Sequence, residues 1–74
     1  MNGNLYYYYT YYIIKQNNQK VPNVKEEGHG AKARIIKLAK GLDQTNHIEV
    51  IKIKGYMGAS YVGEVIKKEV VWSN

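Results

Sequence analysis

Residues 5–14, LYYYYTYYII, leave the chain little choice but to be extended there. Aromatic and β-branched side chains lose χ1 freedom in a helix and pack well on a pleated surface. The segment therefore predicts a strand. Alternation places Leu5, Tyr7, Tyr9, Tyr11 and Ile13 on one face and Tyr6, Tyr8, Thr10, Tyr12 and Ile14 on the other. Both faces are apolar with polar tips. A run of ten residues, mostly tyrosine and without a basic segment ahead of it, suits neither a signal peptide nor a membrane span.

A short chain must cover this strand. The 74 residues are 45% hydrophobic and 23% charged, which fits one small folded domain over residues 1–74 and is too apolar for disorder. A chain of this length buries only about 60–65% of the surface its unfolded form exposes, so each apolar side chain counts. There is no cysteine to supply a disulfide or a thiolate metal site, and a cytoplasmic setting is expected. No internal repeat or linker divides the sequence.

Residues 16–22 read as a polar loop ending in the only proline. Asn23 and Glu26 have the spacing of a helix capping box. Val24, Gly28, Ala31, Ile35, Leu38 and Leu42 recur by threes and fours, with Ala39 at the edge of their stripe. A helix is expected over 31–40. It begins either near Val24 or, since Gly28 and Gly30 each weaken a helix by about 1 kcal/mol, near Gly30. A strand follows over 47–54, its phase changing between Val50 and Ile51 as a bulge or burial on both faces would produce. Residues 55–59 read as a hairpin loop. Residues 60–72 fit a strand or a helix capped by Ser60, and Gly63 with the β-branched content favours the strand. The expected fold is α+β in the order β-α-β-β, one helix packed on a three-stranded, mainly antiparallel sheet.

Catalysis needs groups with tuned pKa values within reach of one another. His29, His47, Glu26, Glu27, Asp43, Glu49, Glu64, Glu69 and Ser60 form no such motif, and the histidines, 18 residues apart, lack metal-ligand spacing. The chain reads as non-enzymatic, with no metal or cofactor. Eleven Lys/Arg against six Asp/Glu give a net charge of +5, which favours anionic partners. Glycines 28 and 30 ahead of Lys32 and Arg34 suggest an anion cradle, but Glu26 and Glu27 oppose it and capping or close packing is the simpler role.

Opposite the helix stripe, Lys32, Ile36, Lys37 and Lys40 make a basic face holding one apolar residue. If Tyr7, Tyr9 and Tyr11 cover the helix, then Tyr6, Tyr8 and Tyr12 lie on the outer sheet face, joined by Lys52 and Lys54. Such a surface suits a partner interface, because a ring with a polar tip tolerates both wet and dry states. It also suits single strands, with bases on rings and phosphates on lysines. The expected function is a small regulatory or inhibitory interaction module, a homodimer and not membrane-bound. It binds a macromolecular partner of acidic character, a protein, with single-stranded nucleic acid as the alternative.

Overall fold

The tyrosine segment is extended, as its side chains require, and forms β1 (Tyr7–Gln16) in the computed structural model, which describes residues 7–57 and 64–74. The expected loop after it is a tight reversal instead. Asn17 and Asn18 take φ of 53° and 68°, the paired left-handed conformation of a two-residue hairpin turn that asparagine tolerates. β2 (Gln19–Lys20) then runs back along β1, and β3 (Glu26–Glu27) meets the same strand opposite Tyr11 and Tyr12. α1 (Ala31–Lys40) follows. On the other side of β1, β4 (Ile48–Met57) pairs through an unbroken ladder from Tyr7–Met57 to Gln16–Ile48, and β5 (Glu64–Ser73) pairs with β4.

The sheet is five-stranded and antiparallel, in the order β2-β1-β4-β5 with β3 also on β1. Among the described residues the fold is α+β with one helix, but the β-α-β-β order and three-strand count are corrected. β2 and β3 have two residues each, too few to carry an alternation in sequence. β4 also runs on through Gly55, Tyr56 and Met57, the first three residues of the expected 55–59 loop. Residues 58–63, including the rest of that loop and the start of the last expected strand, lie outside the described residues.

α1 starts at Gly30, not near Val24. Gly28 and Gly30 have φ of +88° and +78°, a left-handed conformation that breaks any helix entering from Val24. Asn23, itself at φ 63°, is no helix cap. A helix limited to residues 31–40 frees Val24 and Gly28 from its phase, and the buried stripe becomes Ala31, Ile35 and Ala39. Small residues flanking Ile35 let the helix approach the sheet closely. Leu38, expected on the stripe, is 49% exposed.

The helix packs on Ile14, Ile48 and Val50, and Ile14, Ile35, Ala39, Ile48 and Val50 are each at most 1% exposed. Tyr12, Val21, Val24, Leu42, Val71 and Trp72 close around them. The face assignment of the first strand is therefore inverted: the set containing Tyr12 and Ile14 meets the helix, and Tyr9, Tyr11 and Ile13 point away. On that second face Ile13, Ile51 and Ile53 are 5%, 6% and 4% exposed and cluster with Tyr11. Tyr11 stacks on Tyr9 at 5.9 Å and carries the Lys25 ammonium 4.8 Å above its ring. These isoleucines are shielded within one chain, so their burial does not call for a second copy.

Burial on both faces explains the phase change at Val50 and Ile51 in the central strand. The extra residue belongs to β5: Trp72 pairs with Val50 and Val70 with Ile51, leaving Val71 unpaired between them. This bulge turns both Val71 and Trp72 toward the helix-side core. A second register shift falls between Lys54 and Gly55.

Side-chain clasps close the end of the sheet below α1. Asn74 accepts the Ile48 N–H at 3.0 Å and donates to the Asn46 carbonyl at 2.8 Å. Asn17 donates to the Asn46 side chain and accepts the His47 N–H. In the same loop the Thr45 N–H, and then its hydroxyl, hold the Asp43 carboxyl below its usual pKa. Among the described residues no helix is long and apolar enough to cross a membrane.

Candidate functional site

α1 covers the Ile14–Val50 end of the β1–β4 ladder and leaves the Tyr8–Tyr56 end of that face open. Residues paired directly across antiparallel strands share a face. The rows Tyr12–Lys52–Glu69 and Thr10–Lys54–Lys67 therefore cross β1, β4 and β5, and Tyr8 stands opposite Tyr56 one row further on. Tyr8, Tyr12, Lys52 and Lys54, expected on the outer face of the sheet, do share one face, but it is the helix's own. Tyr6 lies outside the described residues.

The rings differ in role. Tyr12 is half-buried against the helix-side core and belongs to the packing. Tyr8 is 68% exposed. Its ring is tilted 57° to that of Tyr56 at 6.4 Å, and the Lys54 ammonium lies 5.7 Å from its centroid. The tilt and the cation both suit the ring's quadrupole, so Tyr8 is positioned although most of it meets solvent.

Beside the rings, Lys52, Lys54, Lys67 and Glu69 line a hollow of about 100 Å³. Lys54 and Lys67 are directly opposed on adjacent strands, an arrangement that destabilises a sheet when nothing offsets it. Among the described residues none of these three lysines joins an ion pair, whereas Lys25, Arg34 and His47 each have a carboxylate partner. The hollow thus gathers three ammonium groups against the single carboxylate of Glu69, a net positive site flanked by an exposed ring. Lys67 was missed in sequence because the pairing of β5 shifts twice, so its position opposite Lys54 follows from no simple count.

The basic helix face is divided. Lys32, Lys37 and Lys40 are exposed, and Lys37 and Lys40 sit in the last turn, where positive charge complements the helix dipole. Ile36 is corrected: it is half-buried against the core, because the stripe has rotated toward it and away from Leu38. Leu38 and Leu42 instead line an open groove of about 580 Å³ with Glu26, Arg34, Lys37 and Gly41.

From α1 the Arg34 side chain reaches back into the glycine loop at residues 28–30, whose sequence suggests an anion cradle. Its guanidinium donates to the Glu26 carboxylate at 2.8 Å and to the carbonyls of His29 and Glu27 at 2.6 and 3.1 Å. The guanidinium thus ties β3 and residues 28–30 to α1. Arg34→Ala is expected to cost about 1–2 kcal/mol, discounted for the exposure of the pair. Amide exchange by mass spectrometry should accelerate over residues 26–30 and stay unchanged over the C-terminal half of α1. Unaltered exchange in that loop would show that the guanidinium does not hold it.

Among the described residues no group of three or more His, Cys, Asp or Glu side chains gathers where a metal could bind. Comparison with known protein families, curated proteins and solved structures finds no match to this chain.

Proposed function

We propose that the protein is a non-enzymatic binding module that engages a macromolecular partner of acidic character through the open half of the helix-side sheet face. The direct opposition of Lys54 and Lys67 carries this reading. Like charges held side by side cost stability, and an anion bound between them would offset that cost. Lys52 extends the positive surface along β4, and Tyr8 and Tyr56 provide contact area next to it.

The reading is tested by retention of the full chain on heparin under a salt gradient. The double variant Lys54→Gln with Lys67→Gln should elute at clearly lower salt, while a control that removes as much charge from the helix, Lys32→Gln with Lys40→Gln, should shift less. Equal shifts for the two pairs would mean that only net charge matters, and the proposed face would be abandoned.

A further inference from the structure

We infer that the acidic partner is a single-stranded nucleic acid, with a base stacked on Tyr8 and the adjoining phosphates on Lys54, Lys67 and Lys52. This inference rests on the binding face proposed above and adds the chemistry of its occupant.

The lysines alone do not choose between a polypeptide rich in Asp and Glu and a nucleic acid. Tyr8 does. An acidic chain satisfies ammonium groups and gains little from an exposed aromatic ring, whereas a base has a π-face that stacks on one irrespective of sequence. The ring is 68% exposed yet braced by Tyr56 and Lys54, which lowers the ordering cost of using it. Its neighbours also fit a strand's alternation of base and phosphate. The ring stands one row from Lys54, and successive same-face positions on β4 lie about 6.7 Å apart, so Lys52 and Lys54 form a line of charge along the sheet.

A duplex fits less well, because its bases are stacked inside and offer no free π-face to Tyr8. Recognition is expected to tolerate sequence. Apart from the Glu69 carboxylate opposite Lys52, the residues supplied are a ring and ammonium groups, which meet base faces and phosphates, and not the amides or guanidinium forks that read base edges.

The experiment is fluorescence anisotropy with a labelled oligothymidylate, a duplex of equal length, and labelled heparin and polyglutamate as polyanions without bases. Each is titrated with the full chain at several salt concentrations. Affinity for the oligothymidylate should exceed that for the duplex and fall with salt. Tyr8→Ala should weaken oligothymidylate binding by roughly 5- to 150-fold and leave heparin binding within about twofold, while Tyr8→Phe, which keeps the ring, should retain it. Circular dichroism checks that the exposed substitution leaves the fold intact. Polyanion binding that depends on Lys54 and Lys67, with oligothymidylate binding indifferent to Tyr8→Ala, would overturn the nucleic-acid assignment and leave the acidic-partner reading standing. Absence of binding to every polyanion at low salt would remove both.

Discussion

Ile35→Ala is expected to lower the unfolding free energy by about 2–5 kcal/mol. Ile35 is 0% exposed at the centre of the helix-side core, among Ile14, Ala39, Ile48 and Val50. The helix's other two buried side chains are alanines, so this residue provides most of the volume that seats α1 on the sheet. Alanine is the better helix former, so the loss reports packing and not local propensity. Small domains have stabilities of roughly 0.05–0.15 kcal/mol per residue, which makes a loss of this size a large fraction of the whole. Urea unfolding followed by far-ultraviolet circular dichroism measures it. A change below about 0.5 kcal/mol would mean that Ile35 does not join helix to sheet.

Ile53→Asp should be still more damaging, at least about 3 kcal/mol, although its residue lies on the face away from α1. Ile53 is 4% exposed in the central strand, paired with Tyr11 on one side and Lys68 on the other. A carboxylate there must lose its hydration or pull the strand out of register. Ile53→Val, which only removes a methylene, should cost about 0.5–1.5 kcal/mol and serves as the reference. Burial raises the pKa of the new carboxyl in the folded state, so the penalty should grow as pH rises through the ordinary carboxylate range. Tolerance of aspartate at neutral pH would show that this face is open to water and that the second isoleucine cluster is not a core.

The elements with strong side-chain patterns were legible in the sequence. The β-branched and aromatic runs predicted the three long strands, and the stripe through Ile35 predicted a helix over 31–40, which is where it lies. What failed was parity. Ile13 and Ile14 are adjacent and equally apolar, Tyr11 and Tyr12 likewise, so β1 alone cannot show which set meets the helix, and a slip of one residue reverses every side chain. The answer lies in tertiary pairing, Ile14 with Val50 and Ile13 with Ile51. The candidate site shows the same limit. Tyr12 with Lys52 and Thr10 with Lys54 share a face because both strands alternate regularly, whereas Lys67 reaches Lys54 only after the register shifts in β5. The turn after β1 does carry a local signal, since consecutive asparagines at 17 and 18 between extended segments mark a tight hairpin turn.

The unbroken ladder between β1 and β4 joins residues 32 to 50 positions apart in the chain. Bringing such distant segments together costs closure entropy before any contact rewards it. The turn at Asn17–Asn18 and α1 are local and can form in microseconds, but they bury little by themselves. The interior is assembled from segments that must first find each other across 32 to 50 positions of a 74-residue chain. Topology thus sets the pace of folding for this small protein, placing it with the slower, non-local class of domains despite its length.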